Sequence, residues 1–256
     1  MTRLDHLVIL TSQLDRAVRG YEELGFAVTP GGEHADGLTH NALIPFRDGS
    51  YLELVAFVGL EDSRDNIWGW RRFLSCGGGL IDYCAASDDL RADAGRLRDV
   101  GFKVDGPTEG GRRRPDGTEM LWLIVRIRQE EGRILPFLIE DLTPRELRVP
   151  GGPAAEHPNG AIGIRSLQIA TSHAERTVRA FATLAGSPDR RGTSLRLGEC
   201  TLSLVTPEAS RQRLHTTCPG PFAVGLATAV AGGPRELDRR LSEGVRIRFL
   251  EPAAGD

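Results

Sequence analysis

"LDHLVILTSQLDRAVRGYEEL" (residues 4–24) aligns without gaps on "IRSLQIATSHAERTVRAFATL" (164–184), and eight of the 21 positions are identical. Each copy opens with an apolar run of strand type. A Thr–Ser pair follows (Thr11-Ser12, Thr171-Ser172), which offers a helix cap. Apolar residues then recur at helical spacing. A third copy, "IDYCAASDDLRADAGRLRDVGFKV" (81–104), repeats Leu14, Gly25, Phe26 and Val28 of the first at an offset of 76. A fourth and weaker copy spans 221–249.

Strand candidates follow each helix. In the first unit they are "FAVTP", "THNALIPF" and "YLELVAF", with Asp48-Gly49 as the hairpin signal. In the second they are "FKV", "EMLWLIVRI" and "LPFLIED", and in the third "SLRLG" and "TLSLVTP". The unit is therefore β-α-β-β-β, and internal repetition at this scale sets the architecture. The expected fold is α+β: tandem βαβββ units whose strands form cupped, mixed β-sheets with helices outside. Residues 1–146 form a first pair of units, 147–163 a Pro- and Gly-rich linker, and 164–256 a degenerate second half.

This pattern resembles the vicinal oxygen chelate superfamily, and within it the glyoxalase-like domain proteins. The resemblance is sharpest at "LDHLVILTSQLDRAV", "GLTHNALIPFRDGSYLEL", "GRRRPDGTEMLW", "LPFLIE" and "HPNGAIGI". It implies a divalent metal (Mn, Fe, Mg or Zn) inside the cup, held by His on the first strand and Glu on the last strand of paired units. The matching positions are His6, Glu53 and Glu140. Asp82 stands where the family usually has a second His, as a fourth ligand or a base. One His with three carboxylates is an oxygen-rich set that suits Mn, Mg or Fe(II). The same carboxylates are equally explained by pairing with arginines and no metal.

Glu53 carries weight without the resemblance. It interrupts the apolar run "YLELVAF", and burying an unpaired carboxylate costs several kcal/mol, so it requires a partner. In the third unit both candidate positions are serine: His6 corresponds to Ser166, and Glu53 to Ser203. A copy that loses both together points to function in the first half and a scaffold or cover in the second. Arg112 and Arg114, beside a Pro-Asp-Gly turn, are candidates to anchor an anion, with Trp122 as a stacking face. A solvated basic edge accounts for the same arginines. His40 and Asn41 are candidates for substrate orientation or acid–base work, though both residue types are common in turns. His34 and His157 fall in loop-like segments and receive no catalytic role.

Thirty-two Lys and Arg against 35 Asp and Glu leave a net charge of −3, which gives no sign of nucleic-acid or membrane attraction. The chain reads as cytoplasmic, with four scattered cysteines that form no metal or disulfide frame. No nucleophile elbow, P-loop or dinucleotide fingerprint is present. The expected partner is a small-molecule substrate, and a homodimer is left open. The leading function is a metal-assisted lyase, isomerase or dioxygenase acting on a small oxygenated, anionic molecule. The alternatives are a metal-free binding or resistance protein and a regulatory domain.

Overall fold

The computed structural model describes residues 2–59, 63–113, 117–129, 132–185, 194–206, 208, 219–230, 233 and 235–251. The first unit comprises β1 (Arg3–Leu10), α1 (Leu14–Glu23), β2 (Thr29–Glu33), β3 (Thr39–Pro45) and β4 (Tyr51–Phe57). The second comprises β5 (Gly79–Ala86), α2 (Leu90–Asp99), β6 (Val104–Arg113), β7 (Glu119–Ile127) and β8 (Phe137–Asp141). Strand β5 and helix α2 start and end 76 residues after β1 and α1, the offset that the repeated sequence carries.

After α3 (Arg145–Arg148), the second half contributes β9 (Ala161–Ala170), α4 (Ala174–Ala185), β10 (Ser194–Leu197) and β11 (Cys200–Val205). Then come β12 (Gly220–Thr228), β13 (Arg235–Glu236) and β14 (Arg246–Phe249). Among the described residues the fourth copy has no α-helix. Turns over 239–244 stand in its place, anchored by Leu241. Among the described residues no helix is long and apolar enough to cross a membrane.

Two sheets result. The first has eight strands in the order β2-β3-β4-β1-β5-β8-β7-β6, and the second six in the order β10-β11-β9-β12-β14-β13. In each unit the first strand runs parallel to its last (β1 with β4, β5 with β8), and β1 meets β5 antiparallel. The two units of the first sheet are therefore joined edge to edge, and their inner faces form one concavity. The expected α+β, cupped and mixed-sheet architecture is what the chain adopts.

Strand alternation gives the first sheet two different faces. Leu7, Ile9, Leu52, Leu54 and Leu138 point outward to the helices. There they join Tyr21, Phe181, Leu167 and Ile247 in a core shared with the second sheet. His6, Val8, Glu53, Val55, Phe137 and Ile139 point into the cup. The second sheet buries one face in the shared core and the other only in part, chiefly along β12. Its Ser166 and Ser203 sit at the registers that His6 and Glu53 hold in the first, on strands that pair in the same parallel manner.

The halves are joined by specific contacts as well as by the core. Gly20 of α1 lies so close to the Leu241 carbonyl that a Cβ there would sit 2.4 Å from the oxygen. The segment read as a linker, 147–163, is held against the first unit. His157 Nδ1 accepts from the Ala27 N–H at 3.0 Å, which places the proton on Nε2, where it is donated to the Pro45 carbonyl at 2.8 Å. Burial, opposed by the Pro45 bond, lowers the His157 pKa below 6.5. The neutral form is thus the one that supports the fold. Its contribution is complete above about pH 6.5 and fades as pH falls below that value. We expect His157→Ala to cost about 1–3 kcal/mol at pH 7.5. The gap to wild type should shrink in denaturation at pH 5.5, and a gap that widens on acidification would contradict the assignment.

Candidate active site in the cup of the first sheet

The β3–β4 ladder places Asn41 opposite Val55 and Leu43 opposite Glu53. The β1–β4 ladder places Val8 beside Glu53 and His6 beside Tyr51. Asn41, Glu53 and His6 therefore share the inner face. His34 joins them from just beyond β2. Its N–H bonds to the Thr39 carbonyl at 2.9 Å, closing the hairpin around Asp36 and Gly37 and turning its ring inward. Glu53 is the centre of the group. Its Oε1 accepts from Asn41 Nδ2 at 2.5 Å and lies 3.3 Å from His34 Nε2, while its Oε2 lies 3.4 Å from His6 Nε2. Burial would raise the Glu53 carboxyl, but His34, His6 and Asn41 together outweigh it and hold it at about 2. Gly31 makes the Asn41 position available, since a Cβ there would overlap the amide.

His6 is oriented from behind. Asp5, an extra residue at a bulge in the β1–β5 ladder, accepts from His6 Nδ1 at 2.7 Å. Arg148 forks onto both Asp5 oxygens at 3.0 Å each, and Arg145 adds a further bond to Oδ2. The Arg148 guanidinium also donates to Asp141 at 2.6 and 2.8 Å and to the Tyr51 hydroxyl at 2.9 Å, so all five of its N–H groups are used. Burial tends to raise the Asp5 carboxyl, and Arg148, His6 and Arg145 overcome it, keeping the group well below the usual carboxylate range. An ionised Asp5 only accepts, so the His6 proton resides on Nδ1. Nε2 then faces the Glu53 carboxylate, and the space between them calls for a cation, either a proton or a metal. Tyr51 stacks on the His6 ring at 4.5 Å and completes its support.

The second unit lines the cup differently from the expectation. Phe137 and Ile139 occupy the inner face of β8, and Glu140 falls on the outer face opposite Leu123. There its Oε2 accepts the Leu90 N–H at 2.8 Å, at the start of α2, so Glu140 is not a ligand in the cup. Asp82 has the right face but is already engaged. It accepts from Trp70 Nε1 at 2.9 Å, and its Oδ2 lies 3.4 Å from Arg133 Nε. Burial raises its pKa despite these partners. His40 has the opposite parity to Asn41 and points away from the cup, which removes it as an acid–base candidate. Arg112 and Trp122 do line the cup; Arg114 lies outside the described residues. Arg112 donates to Asn41 Oδ1 at 3.1 Å, and this bond assigns the Asn41 amide so that Nδ2 faces Glu53.

The cup holds a cavity of about 40 Å³, room for roughly three waters or a ligand of few atoms. Trp68 and Trp70 stack at 4.7 Å over its mouth. Trp68 Nε1 is buried without a hydrogen-bond partner among the described residues. One group of donor atoms lies within mutual reach of a single ion, and a second, wider set surrounds Glu53. Asp5, His6 and Cys84 cluster closely, but guanidiniums occupy both Asp5 oxygens, and burial pushes the Cys84 thiol up so that it stays protonated. That trio is an ion-pair cluster. His6, His34 and Glu53 present two imidazole nitrogens and a carboxylate from three separate strands or turns, with His34 Nδ1 supported by Thr39 Oγ1 at 2.7 Å. This set has the chemistry of a two-histidine, one-carboxylate site. Sequence reading passed over His34 because it lies in a loop. An Asp36-Gly37 turn, read with strand register, places it on the face of Asn41.

Residues 4–185 match the family described as Glyoxalase-like domain. A hypothetical protein from Staphylococcus aureus superposes over 98% of this chain and 100% of its own, with a TM-score of 0.75 and 18% identity. A variant of 4-hydroxymandelate synthase from Streptomyces coelicolor superposes over 89% of this chain and 72% of its own, with a TM-score of 0.56 and 14% identity. A xylose isomerase-like TIM barrel/4-hydroxyphenylpyruvate dioxygenase fusion protein covers 88% of this chain and 36% of its own, with a TM-score of 0.51 and 16% identity. At these identities the likeness is one of fold. No curated protein matches the chain in sequence.

The Asp5 cluster makes a direct prediction. Arg148→Met leaves a buried carboxylate short of its main counter-charge, and we expect a loss of about 3–5 kcal/mol in urea denaturation. A loss below about 1 kcal/mol, the scale of an exposed pair, would show that Asp5 does not depend on Arg148.

Proposed function

The chain belongs to the glyoxalase-like domain family of the vicinal oxygen chelate superfamily, and from that premise we propose that its cup is the active site of a metal-assisted enzyme. The substrate class is a small oxygenated anion, and the reaction class is that of a lyase, isomerase or dioxygenase. The observation that carries this reading is the convergence of His6 Nε2 and His34 Nε2 on the two oxygens of Glu53, with the far nitrogen of each ring already engaged.

His6, His34 and Glu53 are the residues that would hold the ion. Asp5 and Thr39 fix the two rings, and Asn41 and Arg112 fix the carboxylate. A divalent metal bound there supplies Lewis acidity toward adjacent substrate oxygens. Arg112 contributes positive charge to the same cavity and is the anchor for the anionic end. The indole N–H of Trp68 is a donor for a second ligand oxygen. Trp68, Trp70, Trp122 and Phe137 exclude water, which strengthens every charge interaction inside.

A second reading, metal-free capture of a small anion, is favoured by one observation. The second unit brings Trp122, Ile124, Phe137 and Ile139 to the cup where paired-unit metal sites need donors. Metal content of untagged protein separates the two. Mn, Fe(II), Zn and Mg are offered to the wild type, His34→Ala, Glu53→Gln and Glu140→Gln. The enzyme reading expects His34→Ala and Glu53→Gln to weaken metal binding by more than the roughly 10–100-fold that loss of a supporting residue costs. Glu140→Gln should bind as wild type does. A wild type that takes up none of the four ions would leave the capture reading in its place.

A further inference from the structure

A second concavity lies beside the cup and shares Trp68 with it. It is a surface groove of about 560 Å³. Arg72, Lys103, Arg126, Arg128, Arg133 and Arg176 line it, and among the described residues the only carboxylate in its lining is Asp105. These cations come from separate parts of the chain: the 3-10 helix Arg71–Cys76, the β6–β7 hairpin, the β7–β8 connection, and α4 of the second half. A run of surface charge in one segment does not explain such convergence. In a chain with a net charge of −3, gathering six cations on one groove sets them against one another.

The carboxylates present do not balance them. Asp105 receives Arg128, at 2.7 Å, and lies 3.6 Å from Arg126. Asp82 lies beneath Arg133 but faces the cup. Burial lowers the Arg133 pKa; Asp82 and Asp65 oppose the shift, and the neighbouring Arg72 and Arg126 add to it. A second observation points to a ligand. Asn66 lines the groove at 6% exposure, and its Nδ2 has no hydrogen-bond partner among the described residues, while its Oδ1 is fixed by the Trp70 N–H at 3.2 Å. Among the described residues, donors surplus to the protein's own acceptors therefore ring an open groove.

We propose that this groove binds a soluble ligand carrying two or more phosphate groups, held by Arg72, Lys103, Arg126, Arg133 and Arg176 with the Asn66 amide. One monoanion would leave most of the cations unopposed. A diphosphate carries enough charge to oppose several of them, and guanidinium forks suit its oxygens. Because Trp68 borders both concavities, such a ligand reaches the edge of the cup. The site itself does not depend on the chemistry proposed there.

Calorimetric titration of the full chain with sodium pyrophosphate tests this without turnover or added metal. We expect saturable one-to-one binding. Arg176→Ala and Lys103→Ala, both at exposed positions, should each weaken it by about tenfold, the scale of a lost charge-assisted hydrogen bond. Arg179→Ala removes the same charge from α4 outside the groove and should change affinity by less than about twofold. Four results would overturn the proposal. One is no saturable binding by the wild type. Another is equal weakening by Arg179→Ala, which reports general surface charge. The third is binding that is abolished by Glu53→Gln and insensitive to Arg176→Ala, which places pyrophosphate in the cup. Displacement of pyrophosphate by a 20-base-pair DNA duplex would likewise overturn it, in favour of a nucleic-acid surface.

Discussion

The site depends on one buried ion pair. Asp5 is fully buried at a β-bulge, and Arg148 meets both of its oxygens in a fork. Isolated, either charge would be expensive to bury; together they use every lone pair and every N–H that geometry makes available. The consequence reaches the cup through one ring. An Asp5 that stays ionised holds the His6 proton on Nδ1 and leaves Nε2 to face Glu53. Arg148 itself lines the cavity, yet its donors are committed to Asp5, Asp141 and Tyr51. It is support for the site, while Arg112 is the lining cation that bonds to Asn41 beside Glu53.

The four repeated units have taken different tasks. The first carries His6, His34, Asn41 and Glu53. The second keeps the strand pattern but supplies aromatic and aliphatic walls, and its inner-face carboxylates are engaged: Asp82 is bound by Trp70 and lies beside Arg133, and Asp141, opposite Trp122, is bound by Arg148. The third and fourth close a second sheet, in which the half-buried Ser166 and Ser203 stand at the registers of the first unit's donors. Duplicated architecture with donors in one unit gives a cup with one polar floor and one apolar wall. That asymmetry is suited to a small ligand that has a charged end and a carbon frame.

Much of this was legible in the sequence, for reasons that differ by residue. The offset of 76 placed β5 and α2 to the residue, because both units have equally long strand–helix turns. Glu53 declared itself by breaking an apolar strand, and His6 by its place in the repeat. Glu140 was misplaced by three positions: Phe137 pairs with Cys84 as Glu53 pairs with Val8. The connection between the last two strands is longer in the second unit than in the first, and an odd shift moves a strand side chain to the other face. His40 failed on the same parity, since Asn41 faces inward. His34 was missed because a loop residue has no periodicity to report, although the Asp36-Gly37 turn implies its register with Thr39. Asp5 and Arg148 lie 143 positions apart, and no local pattern announces a pair of that kind.

The central claim concerns a single proton, and long-range proton–nitrogen correlation NMR of the His6 ring reads it most directly. In metal-free protein at neutral pH, Nδ1 should carry a hydrogen bonded to Asp5. Replacing Asp5 with Asn should change the nitrogen shifts of His6 more than replacing Glu53 with Gln changes the Nδ1 signal. A ring protonated on Nε2 with a bare Nδ1 would contradict the account, because Asp5 would then have no proton to hold and nothing would prepare Nε2 for a cation.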